Sequence, residues 1–438
     1  MLIEFSVQNF RSFREEQRLS MVASDKHALP ESLIEVPALG KQRLLRTAVI
    51  YGPNASGKSN LFNAFAFVRS LIVGSLDRNS AQGTGAQNFR LSADTLQEPS
   101  IFELHFVQEG IRYEYRLVLD ATMIREEALY AFPKGRAQRW YHRHHNGDEE
   151  KPQLEVGPIL KGRLSTLRTL LQPHLPILAL AQIINSPQLL TVYRWFSDTI
   201  FTLFQDPGAG NSQTELRRVM TQLVAGEVQL HQPLTTLLQR ADTGIRELAI
   251  REDVLISVAQ GEHPSLSPLL ELDSSQRRQK YVQFRHGGAN GDSHNSLFSI
   301  EEESQGTQQL FVLGVFLLNG LKNGQVFAID ELDTSLHPQL VRALVQLFHA
   351  ENPHNAQLIF NTHDASLLRG DLFDRDQIWF MEKDHEGASH LYSLLEFRKD
   401  AEEAEGENRE QEYLLGRYGA VPLIDHITWE ELRLDATP

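Results

Sequence analysis

The stretch of sequence that decides the fold is Gly52-Pro53-Asn54-Ala55-Ser56-Gly57-Lys58-Ser59. It matches the pattern G-x-x-x-x-G-K-[ST], in which glycines let backbone N–H groups turn inward around phosphate groups. The apolar, β-branched run 44–51 predicts a strand before it, and the apolar spacing over 60–71 predicts a helix after it. The helix N-terminus adds partial positive charge. The alternative, a chance glycine-rich turn, does not explain this strand and helix, so we interpret the stretch as a phosphate-binding loop.

The loop predicts a bound nucleotide together with Mg²⁺. We expect Lys58 to reach the β- and γ-phosphates and the Ser59 hydroxyl to ligate the metal ion. The remaining loop residues and Asn60 are expected to line the nucleotide.

A second motif, Val326-Phe327-Ala328-Ile329-Asp330-Glu331, supplies two acids. The apolar run predicts a buried parallel strand that delivers both carboxylates to the edge of the sheet where ligands bind. Asp330 is expected in the Mg²⁺ shell, and Glu331 is expected to position or deprotonate the attacking water. An apolar strand ending in two acids is common by itself, but its pairing with the phosphate-binding loop makes it specific.

Three further segments follow a fixed order around these acids. A small-residue turn, Glu303-Ser304-Gln305-Gly306-Thr307, opens an apolar helix. The acids are followed by Leu332-Asp333-Thr334-Ser335-Leu336-His337-Pro338, and a strand over 357–362 ends on His363. A lone histidine at a strand end is more often satisfied by its own backbone, but the order of the motifs favours a functional role.

This order resembles the ABC-type ATPases, in which the segments are Walker A, signature, Walker B, D-loop and switch histidine. The resemblance implies that ATP is the nucleotide and that Lys58, Glu331 and His363 are catalytic. In that family the signature binds ATP held by the other subunit, so a complete site implies a homodimer. Here the signature reads Ser-Gln-Gly-Thr-Gln rather than Ser-Gly-Gly-Gln. Ser304 and Gly306 still offer a hydroxyl and N–H groups at a helix N-terminus, and the resemblance adds Thr307 and Asp333 as nucleotide-binding residues.

Motifs near the two ends of the chain resemble those of a smaller group of proteins within these ATPases. Asn9-Phe10-Arg11-Ser12-Phe13 is similar to the opening of RecF, SMC and OLD-type proteins, in which an arginine near the position of Arg11 approaches the nucleotide. With the late run Gly416-Arg417-Tyr418-Gly419-Ala420-Val421-Pro422, the motifs resemble the AAA-labelled, ABC-like ATPases of abortive-infection and anti-phage modules, the RloA and AriA kind. That group implies a switch ATPase that senses for or restrains an effector encoded nearby, often a nuclease or a toxin.

Two enzyme-class alternatives stay in view. A RecF-like, DNA-binding ATPase of DNA repair needs a basic face; the net charge of -15 weighs against it, although 42 Lys and Arg could still form a local groove. An OLD-type nuclease needs a metal-binding TOPRIM domain, and only about 75 residues follow His363. The acids there, Glu382 and Asp384, lack a second acidic cluster, so we predict no intrinsic nuclease. DNA or a phage protein stays open as a ligand.

A third, non-enzymatic alternative is a scaffold that binds ATP and hardly hydrolyses it. The presence of both Glu331 and His363 argues against it.

Composition limits the remaining classes. The content of 41% hydrophobic and 23% charged residues is ordinary for a globular protein. The absence of cysteine excludes disulfides and thiolate metal sites. The longest apolar run, Leu310 to Leu318, is shorter than the ~20 residues that span a bilayer. With no apolar leader at the start, we expect a cytoplasmic protein with no membrane partner, assembling as a dimer or a higher oligomer.

The expected fold class is an α/β P-loop NTPase of ABC-ATPase type with an antiparallel β subdomain and an inserted helical lobe. We predict the first part of the ATPase head over 1–158, a leucine-rich helical lobe over 159–280, the second part of the head over 281–398 and a tail over 399–438. Within the first part, Glu109-Gly110 and Asn146-Gly147 indicate hairpin turns.

Some residues invite a functional role without supporting one. The histidines in the run 141–146 more often decorate the end of a hairpin than bind a metal. Trp195-Phe196 has the helical spacing of core or dimer contacts. Gln87 and Gln97 are the candidates by residue type for the glutamine loop of the ABC family.

Overall fold

The computed structural model describes residues 1–77, 83–145, 152–203, 220, 224, 226, 228–254, 278–287, 297–370, 372–397 and 408–422. The chain divides into two compact units. The first comprises Met1–Phe204, Gly324–Asp333 and Arg342–Pro438, and the second comprises Gln205–Asn323 and Thr334–Val341. No helix within the described ranges is long and apolar enough to cross a membrane.

Strands outnumber helices along the described part of the chain. The strands are β1 (Leu2–Gln8), β2 (Gln17–Ser20), β3 (Leu33–Glu35), β4 (Arg43–Leu45), β5 (Thr47–Tyr51), β6 (Ser100–Gln108), β7 (Ile111–Leu119), β8 (Ile124–Phe132), β9 (Gln138–His144), β10 (Gln153–Val156), β11 (Ile200–Leu203), β12 (Ile245–Val254), β13 (Arg278–His286), β14 (Leu297–Phe298), β15 (Val326–Ile329), β16 (Gln357–Asn361), β17 (Ile378–Lys383) and β18 (Ser389–Ser393). The α-helices are α1 (Lys58–Gly74), α2 (Leu164–Leu170), α3 (Pro187–Arg194), α4 (Val228–Arg240), α5 (Gln305–Asn323), α6 (Pro338–Ala350) and α7 (Arg409–Leu414).

A six-stranded sheet forms the centre of the first unit, in the order β11-β15-β16-β5-β17-β18. The first five strands are parallel, and β18 pairs antiparallel with β17 at the edge. Every residue of β5, β15 and β16 is buried, as expected of strands covered on both faces. Parallel pairing brings the carboxyl ends of β5, β15 and β16 to one edge, so the loops that follow these strands meet there.

A second, antiparallel sheet of the first unit has the order β10-β9-β8-β7-β6-β1-β2. Along β6 buried and half-buried residues alternate, which is the pattern of a sheet with one face on the core. The predicted hairpin turn at Glu109-Gly110 is confirmed: both residues have positive φ, 50° and 74°, between β6 and β7. The predicted turn at Asn146-Gly147 lies outside the described residues.

Helix α1 joins the two sheets in one core. The ring of Phe65 on α1 stacks on that of Phe5 in β1 with centroids 3.8 Å apart. The same apolar cluster includes Ala48 and Ile50 of β5, so α1 is buried against residues from both sheets. Trp195, whose ring stacks on Phe106 at 4.1 Å, belongs to this cluster, so of the two predicted roles, core or dimer contact, it has the core role.

A buried ion pair fastens the loop 172–177 to the antiparallel sheet. Arg143 and Glu127 are fully buried, with Nη1 3.5 Å from Oε2. Arg143 donates to the carbonyls of Gln172, Pro173 and Leu175 at 2.6–2.7 Å, and Glu127 accepts from Ile177 N at 2.9 Å. The histidine-rich run 141–146 therefore supplies a structural arginine from within β9, rather than only the end of a hairpin.

The second unit pairs helices α4 and α5 beside a three-stranded sheet, β12-β13-β14. A side chain at Gly314 in α5 would lie 2.8 Å from Leu234 and Leu237 of α4, so the glycine allows the two helices to approach closely. The apolar run Leu310 to Leu318 lies within α5, as predicted from the sequence.

The division into units differs from the domains expected from the sequence. Residues 159–204 belong to the first unit, because β11 pairs with β15 in the central sheet. The expected helical lobe over 159–280 contains β11 and β12 as well as helices. The single strand expected over 44–51 is two strands, β4 and β5, which belong to different sheets.

Candidate nucleotide-binding site

The phosphate-binding loop, Gly52–Ser59, connects β5 to α1. A side chain at Gly57 would lie 2.2 Å from Ser389 Oγ, and its φ of 110° disfavours any residue with a Cβ. A side chain at Gly52 would lie 2.2 Å from the carbonyl oxygen of Met381 in β17. Both glycines of the motif are therefore required by close packing as well as by the turn.

Lys58 lies in the first turn of α1 and folds back over the loop. Its Nζ donates to the carbonyls of Gly52 at 2.7 Å and Pro53 at 2.9 Å. Burial lowers the pKa of Lys58 to about 8, against the opposing effect of the Asp330 and Glu331 charges. The ammonium group is thus held at the loop, where a phosphate charge would offset its desolvation.

The two acids that follow β15 share one amide partner. Asn361 Nδ2, at the end of β16, donates to Asp330 Oδ1 at 2.6 Å, and Asn361 Oδ1 accepts from the backbone N–H of Glu331. Glu331 has a φ of 54°, an unusual conformation for a residue other than glycine. Asn361 therefore fixes both the Asp330 carboxylate and the turn that presents Glu331.

The donor set beside the loop fits Mg²⁺. Ser59 Oγ lies 3.1 Å from Asp330 Oδ1, so a hydroxyl and a carboxylate meet at one point, and magnesium prefers such oxygen ligands. Burial raises the pKa of Asp330, while the hydrogen bonds from Asn361 and Ser59 lower it. A cation at this point would favour the ionised carboxylate, and Ser59 and Asp330 are the residues that would hold it.

His363 follows β16 at the same edge of the sheet. Its backbone N–H donates to Asp333 Oδ2 at 3.2 Å, which joins the segment after β15 to the segment after β16. The side chain of His363 is exposed at the mouth of the site. Partial desolvation and the nearby Lys58 charge lower the pKa of His363, which favours its neutral form near pH 7.

The N-terminal segment reaches the opposite side of the loop. Arg11 Nη1 lies 3.5 Å from Asn60 Oδ1, and Asn60 Nδ2 donates to Ser12 Oγ at 2.8 Å. Ser389 Oγ is 2.8 Å from Ser12 Oγ and donates to the carbonyl of Ser56 at 2.6 Å. A cavity of about 460 Å³ opens beside these residues; its lining includes Arg11, Asn60, Gln87, Arg90 and Lys383.

A second cavity, of about 670 Å³, opens on the side of His363. Its lining comprises Gly52, Pro53, Asn54, His363, Ala365, Tyr413, Leu414, Val421 and Pro422. The late run of the sequence, Gly416–Pro422, thus contributes to the wall of the site.

The predicted signature lies in the second unit, at the start of α5. Ser304 Oγ accepts from the backbone N–H of Thr307 at 3.1 Å, which makes Ser304 the N-cap of the helix. Ser304 is exposed. A side chain at Gly306 would lie 2.8 Å from the carbonyl of Ser335, so the glycine allows the predicted D-loop to pack against the signature turn.

Of the predicted site residues, the first unit brings together the loop, Asn60, Arg11, Asp330, Glu331, Asp333 and His363. Two supporting residues, Asn361 and Ser389, were missed. Asn361 stands two residues before His363 in a strand that the sequence did identify, whereas Ser389 is far along the chain and carries no local signal. Gln87 lines the cavity beside Arg11.

The acids considered for a nuclease have structural partners. Glu382 Oε2 accepts from Ala420 N at 3.1 Å and lies 3.2 Å from the Tyr392 hydroxyl oxygen. Asp384 accepts from Ala388 N and from His390, both at 2.9 Å.

Comparison with known proteins adds a family to this geometry. Residues 48–369 match the family model described as "AAA domain, putative AbiEii toxin, Type IV TA system". No curated protein matches the sequence significantly. Among solved structures, an Smc head bound to the C-winged helix domain of ScpA has 14% identity and a TM-score of 0.44, over 92% of this chain and 99% of that one. The SMC head domain from Thermotoga maritima has 14% identity and a TM-score of 0.39, over 90% and 98%. Because the family model spans well over half of the 438 residues, the chain belongs to this AAA-domain family of the AbiEii type.

Proposed function

We propose that this protein is an ATP-hydrolysing switch that dimerises around ATP·Mg²⁺ and controls an effector in anti-phage defence. The observation that carries the proposal is the meeting of Lys58, Ser59, Asp330, Glu331 and His363 at one edge of the parallel sheet. Together these residues supply a phosphate cradle, a metal site and a group that handles water.

The roles follow from position and chemistry. Lys58 and the loop N–H groups hold the phosphates, and Ser59 with Asp330 holds the cation. When bound, Mg²⁺ neutralises negative charge on the phosphates. Glu331 orients or deprotonates the water that attacks the γ-phosphorus, and neutral His363 offers a hydrogen bond at the same side.

Dimerisation is supported by groups in the second unit that suit phosphate binding. Ser304 is exposed at the N-terminus of a 19-residue helix, and the backbone N–H groups of that first turn suit an anion. We propose that Ser304, Gly306 and Thr307 bind the γ-phosphate of the ATP held by a second copy.

The defence role is supported by the family to which the chain belongs, whose description names an AbiEii toxin and a type IV toxin–antitoxin system. We propose that the protein restrains or activates a partner protein rather than acting as a nuclease itself.

A DNA-binding role of the RecF kind finds less support on the antiparallel sheet. Arginines that point away from its core are paired with acids. The pairs are Arg18 with Glu4 and Glu16, Arg112 with Glu114, Arg116 with Glu103 and Glu126, and Arg139 with Glu155. A face with compensated charge gives little attraction for phosphate backbones.

The test of the enzymatic part is ATP turnover together with nucleotide binding. Wild type should hydrolyse ATP in a Mg²⁺-dependent way, Glu331→Gln should bind ATP without turnover, and Lys58→Ala should lose binding. Turnover that persists in Glu331→Gln would reject the assigned chemistry. Phage plaquing on cells that carry the native locus, with wild type against Glu331→Gln, tests the defence role; equal protection would contradict it.

A further inference from the structure

Tyr51 is the last residue of β5 and immediately precedes the phosphate-binding loop. It is fully buried, and its hydroxyl donates to the backbone carbonyl of Asp364 at 3.3 Å. Burial raises the pKa of Tyr51 well above its ordinary value, so the phenol keeps its proton and remains a donor. The residue before the loop is thus bonded to the residue after His363.

The turn at His363 and Asp364 is held from two sides. On one side, Asp333 Oδ2 accepts from the backbone N–H of His363 at 3.2 Å. On the other, Tyr51 bonds to the Asp364 carbonyl, and Asp364 Oδ1 accepts from Ser366 N at 3.0 Å to begin the short turn Ala365–Leu368. A shift of the Tyr51 ring would therefore move the backbone that carries His363.

Residues 408–422, which we call the C-terminal segment, pack against the Tyr51 ring. The Tyr413 ring lies against Tyr51 with centroids 5.4 Å apart, and the Tyr413 hydroxyl donates to the carbonyl of Ala420 at 3.0 Å. The Phe380 ring of β17 stacks on Tyr413 at 5.6 Å and lies 6.4 Å from Tyr51.

The same segment is anchored to the sheet at its far end. Ala420 N donates to Glu382 Oε2 at 3.1 Å, and the Tyr392 hydroxyl donates to the carbonyl of Tyr418 at 2.9 Å. Gly419 has a φ of 67°, and a side chain there would lie 2.6 Å from the Tyr392 hydroxyl. The run Gly416–Pro422 is therefore bound to β17 and β18 by these hydrogen bonds.

We propose that Tyr51 is a positioning residue for ATP hydrolysis, which places His363 through the Asp364 carbonyl and is itself held by Tyr413 of the C-terminal segment. This inference rests on the proposed function, since it concerns turnover at the same site. The proposal assigns the late run Gly416–Pro422 a part in ATP turnover, although this run is far from the other site residues in the sequence.

The variant that tests the link is Tyr51→Phe, which keeps the ring and removes only the hydroxyl. Turnover should fall about three- to tenfold, the worth of one hydrogen bond in the barrier, while the Kd for ATP stays unchanged. Tyr413→Ala, which removes the side chain that packs against the Tyr51 ring, should lower turnover at least as far.

Two comparisons distinguish a positioning role of Tyr51 in turnover from a purely structural role. Tyr115→Phe is the matched control, because Tyr115 is equally buried and its hydroxyl donates to Glu127 in the antiparallel sheet, away from the site. It should cost stability and leave turnover at the wild-type level. In a His363→Ala background, Tyr51→Phe should have no further effect, since coupled residues are non-additive.

The inference is overturned if Tyr51→Phe turns over ATP like wild type, or if its effect is as large without the His363 side chain as with it. If the proposed function itself is wrong, wild type will hydrolyse no ATP, or Lys58→Ala will hydrolyse it equally well. In either case the role of Tyr51 in turnover is also wrong.

Discussion

At the scale of single residues, Asn361 positions two acids of the candidate site, a role that its place in the sequence does not indicate. It is fully buried and bonds to both acids, Asp330 through its carboxylate and Glu331 through its backbone. Removing a partner that orients a metal ligand commonly weakens metal affinity or activity, and Asp330 is the proposed metal ligand here.

We therefore expect Asn361→Ala to lower ATP turnover about 10- to 100-fold and to raise the Mg²⁺ concentration needed for half of the remaining rate. The measurement is turnover against Mg²⁺ concentration, with exposed Asn323→Ala at the end of α5 as control. An unchanged Mg²⁺ requirement in Asn361→Ala would contradict the role.

His349 gives stability a dependence on pH. Gln377 Nε2 donates to Thr47 Oγ1 at 2.6 Å, and the Thr47 hydroxyl oxygen lies 2.8 Å from His349 Nε2. Burial lowers the pKa of His349 from 6.5 to about 4, helped by the charges of Arg46 and His27. Below pH 6.5 the unfolded chain takes up a proton that the folded chain refuses, so stability falls as the pH drops toward about 4.

The expected size is about 2 kcal/mol between pH 7 and about pH 5, from 1.4 kcal/mol per pH unit. The free energy of unfolding in urea should therefore drop by about that much more in wild type than in His349→Gln. Exposed His354→Gln should retain the wild-type difference. If wild type and His349→Gln lose the same amount on acidification, this histidine is not the cause.

The sequence could predict which residues lie together at the candidate site but not those that support them. Lys58, Ser59, Asp330 and His363 stand in motifs whose spacing has a chemical reason. Ser389 contacts Ser12 and Ser56 although it lies 377 and 333 positions from them in the sequence, so only the folded chain brings these residues together.

At the scale of elements, the buried pair of Arg143 and Glu127 joins β8, β9 and the loop 172–177. Removing the arginine leaves a buried carboxylate without its countercharge and three carbonyls without a donor. Such losses cost far more than surface pairs, which are screened by water.

Arg143→Met should lower the free energy of unfolding by about 3–5 kcal/mol. Arg139 lies on the same strand as Arg143 and forms an exposed ion pair with Glu155 of β10. Arg139→Met should therefore change the free energy of unfolding by less than about 1 kcal/mol. Urea unfolding at neutral pH compares the two. Similar losses in both variants would show that the buried network is not what fastens the loop.

Element type was predicted well where periodicity was long, as in α1, α5 and the hairpin of β6 and β7. It was predicted less well where tertiary pairing decides. The run 44–51 looks like one strand, but β4 pairs with β3 and β5 enters the parallel sheet. The leucine-rich run after 159 looks helical, but it ends in β11, which takes its conformation from pairing with β15.

At the scale of the whole molecule, the fold class expected from the motif order is the one observed: an α/β P-loop head with an antiparallel sheet beside it. Domain limits were harder to place, because the second unit is assembled from two segments of the chain, and the shorter, Thr334–Val341, follows closely on the Walker B acids.

We propose that ATP, and not the protein alone, holds two copies together. The most direct measurement is the mass of the purified protein in solution with ATP and Mg²⁺, for wild type, Glu331→Gln and Lys58→Ala. We predict that Glu331→Gln is trapped as a dimer or larger assembly only when ATP is present, and that Lys58→Ala stays at its nucleotide-free mass. An assembly state that ignores ATP in all three proteins would contradict the switch.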